Sequence, residues 1–341
     1  MHIPDGYLGL QTTLPAMGVM VPLWAAALRK VKTALSHRQM PLLSLCAAFS
    51  FVIMMFNVPL GESSVHAVGA VFIAILLGPW AACVAVSVAL MIQALVFGDG
   101  GILSLGINCF NIAVIMPFTG YYLYRVVAGK SDILSKRSLF GVFAGSYVGL
   151  NLAALSTAIA FGIQPLLFKA ADGTPLYGYY PLSVSVTAMM FEHLLFAGPI
   201  EGIITVAAIS YLAKLAPYLL NVTSVREDEK GLSFWKIYKP VLTGLLGMVV
   251  LSPLGLLAAG TAWGEWSAEE LVEKVGFIPE GYRKTADLRQ ALMPDYSIPG
   301  LDGSFFCSSL VYIASAVMGI LIIGTVIFFT ARLIIGEQES N

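Results

Sequence analysis

Three nitrogens at the start of the chain could act together on one cation: the free α-amine of Met1, the backbone nitrogen of residue 2 and the imidazole Nδ1 of His2. They close fused five- and six-membered chelate rings. A fourth nitrogen from another imidazole would complete a square plane, which divalent nickel or copper accepts and zinc or magnesium does not favour. Ile3-Pro4-Asp5-Gly6 follows at once and reads as a turn that can tuck the terminus back into the protein. His66 is the candidate fourth donor, standing after a loop, Asn57 to Val65, that carries no positive charge. A histidine at position 2 is not diagnostic by itself, and His66 reads equally as an interfacial histidine that reaches water.

The remaining chemistry-bearing residues point less sharply. His193 follows Glu192 and precedes Glu201 within an apolar run, and reads first as a satisfied interior histidine, with a gating or partner-contact network as the alternative. His37 lies in a basic stretch and reads as solvated. Cys46, Cys83, Cys109 and Cys307 are far apart with no CxxC, so neither a disulfide framework nor a thiolate metal site is supported. Gly129-Lys130-Ser131 ends like a phosphate-binding loop, but the earlier glycine that loop requires falls on Tyr124 and no strand precedes it. Any ATP-driven step must be powered by another chain.

The elements that position these residues are read from composition. The chain has 341 residues, 58% hydrophobic and 11% charged, against about 25% charged in soluble domains. Disorder, nucleic-acid binding and ordinary cytosolic enzyme folds are therefore poor readings, and an all-α polytopic membrane protein is the expected class. Apolar runs near 13–28, 40–60, 66–80, 81–97, 102–127, 139–163, 183–213, 238–260 and 309–335 predict nine spans, the third and fourth split at Gly78-Pro79-Trp80. Faces of small residues, Gly141, Gly145 and Gly149 and again Ala81, Ala85 and Ala89, predict close internal helix packing.

Basic residues gather after the first span, after the fifth and between the seventh and eighth, which predicts an outside N-terminus and a cytoplasmic C-terminus. The composition divides the chain into a seven-span unit over 1–215, a linker over 216–237 and a two-span unit over 238–341. The external segment 261–308 of the second unit reads as a solvated cap, with Ser267-Ala-Glu-Glu270 as a capping box that opens a short helix.

MHIPDGYL at the start, VHAVGAVFIAILLGPWAA over 65–82, FGDGG over 97–101, LGINCFN over 105–111 and HLLFAGPIEGIIT over 193–205 together resemble the CbiM/NikM family. These are substrate-binding membrane components of energy-coupling-factor transporters for cobalt and nickel. The two-span unit looks like the small accessory component CbiN or NikN, here fused. The resemblance implies a seven-helix metal-binding bundle with two further transmembrane helices. It also implies Ni2+ or Co2+ as transported substrate, a transmembrane coupling component and two cytoplasmic ATPases as partners, and no enzymatic activity. Its ligand set falls on Met1, His2 and His66, with Asn108 and Asn111 as candidates for supporting positions. This chain has Ser64-Val65 where many members have Ser-Gly before the histidine. The competing function is a membrane-embedded metalloenzyme at the same three residues, disfavoured because four nitrogens would leave no position for an activated water.

Overall fold

The computed structural model describes residues 1–35, 39–61, 63–220, 233–258, 260–286, 291–301 and 303–336. His37 and the linker stretch 221–232 lie outside the described residues. Backbone polar groups in hydrocarbon must pair within the segment, so the apolar runs become helices. In chain order these are α1 (Leu10–Ala34), α2 (Met40–Met54), α3 (Ala70–Leu77), α4 (Pro79–Ile92), α5 (Leu105–Asn108), α6 (Met116–Ala128), α7 (Lys136–Gly162), α8 (Gln164–Leu167), α9 (Leu182–Glu192), α10 (Gly198–Leu215), α11 (Pro217–Leu220), α12 (Phe234–Leu251), α13 (Ala268–Val275), α14 (Glu280–Thr285) and α15 (Phe305–Gly336). One antiparallel hairpin, β1 (Val58–Leu60) with β2 (Ser63–Val65), pairs Val58 with Val65 and leads directly to His66. Among the described residues six helical stretches are long and apolar enough to cross a membrane: Leu10–Ala34, Pro79–Phe97, Lys136–Leu167, Leu182–Leu215, Phe234–Leu257 and Phe305–Thr330.

The nine apolar runs do not all give helices of full crossing length, and the third departs most. Its helix, α3, has only eight residues, about 12 Å at 1.5 Å per residue, against a hydrocarbon core about 30 Å thick. Gly78, with φ +89°, ends that helix, and Pro79 opens α4 at the break read from the sequence. Residues 66–69 remain irregular and carry His66 at the mouth of the bundle.

α4 is the inner helix, with 78% of its apolar window buried, against 22% for Phe234–Leu257. Ala81, Ala85 and Ala89 are all buried on it, and Ser87 accepts the indole N–H of Trp24 from α1 at 2.9 Å. The glycine face of α7 meets α6: a Cβ on Gly149 would lie 2.6 Å from the Met116 carbonyl oxygen. That contact bears out internal packing as the use of the face.

The C-terminal helices are docked on the N-terminal bundle. α15 packs along α2 and α4. Tyr312 donates to the Met55 carbonyl at 2.8 Å, and Gly319 lies so close to the Phe51 ring that a Cβ would collide with it. The segment over 260–301 folds across the start of the chain. Its capping box forms as the sequence predicts, with Ser267 accepting from the Glu270 N–H and the Glu270 side chain accepting from the Ser267 N–H.

Candidate metal site

Residues 1–9 form a hook that turns into the bundle. Met1, His2, Ile3, Tyr7 and Leu8 are all buried, His2 to 1% exposure. The Asp5 carboxylate fixes the hook by accepting the N–H groups of Ile102 and Leu103, each at 2.9 Å, and of Ser104 at 3.3 Å. Burial raises the pKa of Asp5, and those three hydrogen bonds oppose the rise. Gly101 packs so tightly on Asp5 that no Cβ fits there, and its N–H donates to the Ile3 carbonyl at 2.9 Å. Asn108 brackets Ile3, accepting its N–H at 2.9 Å and donating to its carbonyl at 3.1 Å. Further out, Tyr7 donates to the Trp266 carbonyl at 2.7 Å. Gly6, with φ +93°, lies against Tyr282.

The hook brings His2 beside His66, with ring centroids 5.1 Å apart. Each of the three sequence-predicted donors already has a partner. The Met1 amine forms an ion pair with Glu265 at 3.0 Å. His2 Nδ1 bonds to the Asp99 carboxylate, while its Nε2 is buried with no hydrogen-bond partner. His66 Nδ1 lies 3.1 Å from the Ala67 carbonyl, which can only accept, so the proton is on Nδ1 and the lone pair is on Nε2. Burial, then the charges of His2 and the terminal amine, push the His66 imidazole down to about 3, leaving a neutral ring fit for a cation.

Asp99 is the hub of the polar network. Glycines with φ +73° and +87° flank it, Gly98 and Gly100, so the chain turns sharply around its side chain. It accepts the Tyr296 hydroxyl at 2.6 Å and the Gln93 amide at 3.1 Å in addition to His2. Burial works against its ionisation, but the His2 charge and the hydrogen bonds from His2 and Tyr296 outweigh it, holding Asp99 well below the usual carboxylate range. Glu201 acts one step removed. It accepts the N–H of Val68 at 2.7 Å and of Gly69 at 3.0 Å, which fixes the turn after His66 at the head of α3.

Three π-helical turns lie around this end of the molecule, at Gln93–Phe97, Cys109–Ile115 and His193–Ala197. Such turns offset the side chains that follow and concentrate at functional positions.

Met1, His2, His66 and Asn108 therefore meet, whereas Asn111 does not join them. Its amide donates to Thr157 at 3.0 Å and accepts from Ser156 at 2.7 Å, tying its helix to α7. His193 Nδ1 lies 2.8 Å from the Met189 carbonyl, so its first reading as a satisfied interior histidine holds for that nitrogen. Sequence reasoning missed Asp5, Asp99, Glu265 and Tyr296. Asp99 stood inside FGDGG as an acid between glycines, a signal that was there to use. Nothing local marks Glu265 or Tyr296. The solvated-cap reading of 261–308 is accordingly corrected, because that segment supplies both. Among the described residues no three His, Cys, Asp or Glu side chains form a metal-holding group.

The family model described as the cobalt uptake substrate-specific transmembrane region, CbiM, matches residues 2–219, and the PDGLE domain model matches 239–336. The chain is 42% identical over 340 residues to the fused nickel transport protein NikMN of Rhodobacter capsulatus, covering 95% of each chain. It is 42% identical over 331 residues to the probable fused nickel transport protein LarMN of Lactiplantibacillus plantarum, covering 94% of this chain and 95% of that one. A crystal structure of a transition metal transporter superposes with a TM-score of 0.61 at 45% identity, covering 68% of this chain and 100% of its own.

Proposed function

Since the chain belongs to the CbiM family of cobalt-uptake substrate-specific transmembrane proteins, we propose that it captures divalent nickel or cobalt at Met1, His2 and His66 and passes it across the membrane. The observation that carries this reading is the burial of a free amine beside two imidazoles, which a hook needed only for packing would not require. The cation would take the amine, the residue 2 nitrogen and His2 Nδ1, with His66 Nε2 as the fourth donor. Binding would displace the protons on the amine, on the residue 2 amide and on His2 Nδ1, the first and last now paired with Glu265 and Asp99, whose carboxylates would then offset the charge of the cation. Such a site orders cobalt below nickel below copper, so availability and transport kinetics select the substrate as much as the ligands do.

In the same proposal, residues 1–215 are the metal-binding unit, 216–237 a cytoplasmic linker and 238–341 the accessory unit. The shared placement of Met1 and Glu265 supports an N-terminus and a 261–308 segment on one side of the membrane, and the basic loops make that side the outside. A transmembrane coupling component and two cytoplasmic ATPases supply the energy, in keeping with the failed phosphate-loop match.

One Gly placed before Met1 tests the ligand set, because it displaces the amine and moves His2 out of its chelate rings. Nickel titration of the purified chain should show high-affinity binding lost as fully as in His2→Ala or His66→Ala. Equal affinity in the extended chain would remove Met1 from the ligand set. Binding to the unaltered chain should also weaken as pH falls, since ligand nitrogens must be deprotonated to bind and protons therefore compete with the cation. His66, at about 3, does not add to that competition near neutral pH.

A further inference from the structure

A small cavity adjoins the hook, bounded by Met1, His66, Glu192 and His193 and roofed by Trp263 of the C-terminal unit. It has room for about one water-sized group. Two donors facing this space have no part in the site described above. The Met189 carbonyl can only accept from His193 Nδ1, so the proton is there and His193 Nε2 carries a lone pair. That Nε2 has no hydrogen-bond partner among the described residues, and His193 is one of the residues that line the cavity. Glu192 is half-buried and adds a carboxylate at the same wall. The π-helical turn that begins at His193 interrupts an otherwise continuous helix from Leu182 to Leu215 at this wall. Such an offset is retained where a side chain must be set for a task.

We propose that this cavity is a transit site, where the incoming divalent cation is first held by His193 Nε2 and the Glu192 carboxylate and then passes by way of His66 to Met1 and His2. An imidazole nitrogen and a carboxylate suit a borderline divalent cation. With only two protein donors, the cation is held weakly enough to leave. His66 borders both spaces, so it can join the second shell of donors before the first is released. The inference rests on Met1, His2 and His66 being the final site.

Rapid mixing of nickel chloride with the full chain in detergent provides the test, read by the absorption of the square-planar nickel complex. A transit site lowers the barrier in both directions. Glu192→Gln and His193→Gln should therefore each slow association and chelator-driven dissociation by the same factor, roughly tenfold, with equilibrium affinity and final spectrum unchanged. A merely structural role would shift the affinity or the spectrum instead, and either result, or unchanged rates in both variants, overturns the proposal. His2→Ala separates the two readings, because His2 does not border the cavity. It should abolish the square-planar spectrum while retaining one weaker nickel that is lost on adding Glu192→Gln. Absence of that residual nickel overturns the transit site and leaves the final site standing, whereas a persisting square-planar spectrum overturns the final site.

Discussion

The two parts of the chain meet along two seams of opposite character. At the hook the seam is polar: Glu265 on the Met1 amine, Tyr7 on the Trp266 carbonyl, and Tyr296 shared between Asp99 and Gln93. At the level of α2, α10 and α12 it is mostly apolar, joined by the Tyr211 hydroxyl on the Pro240 carbonyl at 2.9 Å and bordering a partly open cavity among residues such as Leu42, Cys46, Phe72 and Met248. Lipid tails are as apolar as leucine, so the second seam gains packing contacts but little hydrophobic driving force. Buried hydrogen bonds are directional and costly to leave unmade, so the first seam fixes one register between the units where the cation would bind. Perturbing the polar seam should therefore move metal affinity, and perturbing the apolar seam should not.

The largest effect is expected from Asp99→Asn. The amide keeps the shape but loses the charge that holds His2, and its nitrogen offers donors to Tyr296 and Gln93, which already donate. Partners of metal-binding histidines are worth about 10- to 100-fold in affinity, and nickel calorimetry on Asp99→Asn should fall at the upper end. Affinity equal to the parent would separate the hub from the site.

Asp5→Ala comes next. It strips the acceptor from the Ile102, Leu103 and Ser104 N–H groups, and leaving such groups unmet costs about 1–3 kcal/mol. The loss falls on the hook while the helices stay intact, so nickel affinity should drop about tenfold with unchanged helical circular dichroism. A smaller change is expected from Glu265→Gln. Glu265 is 20% exposed, and solvent-screened pairs of this kind are worth about 0–1 kcal/mol. The affinity should shift no more than about fivefold, and a loss as great as that of Asp99→Asn would mean that Glu265 itself ligates the cation.

These ranks also explain what was legible beforehand. Met1 and His2 could be proposed as ligands because chelation by a terminal amine and a second-position histidine is local chemistry, and hydropathy marked the apolar helices; the approach of His66 to His2 is a long-range contact. Asp5 was visible only as part of a turn, since the N–H groups that it accepts come from residues about a hundred positions away. Glu265 and Tyr296 reach the hook across 264 and 197 residues, to Met1 and Asp99 respectively, and no periodicity records such a pairing. The short α3 was half legible. Gly78-Pro79 announced the break, but the irregular backbone over 66–69 depends on Glu201, which lies more than a hundred residues further on.

The smallest effect tests the apolar seam. Gly244 lies in α12 beside the cavity, and the nearest atoms a Cβ there would meet belong to Tyr211, at 3.7–3.9 Å, in ordinary van der Waals contact. In water, replacing a mid-helix glycine by alanine gains about 1 kcal/mol from helix propensity. In a bilayer most of that gain vanishes, because the separated segment must remain helical to pair its own backbone. What remains is a few atom contacts at about 0.1–0.2 kcal/mol each. Gly244→Ala should therefore raise the thermal midpoint slightly or not at all and leave nickel affinity untouched. Gly145→Ala makes the contrasting control, since its Cβ would sit 2.5 Å from the Gly120 carbonyl oxygen and must push α7 from α6. If Gly244→Ala changed nickel affinity while Gly145→Ala only lowered the midpoint, the apolar seam would have to be coupled to the site, and the contrast between the two seams would fail.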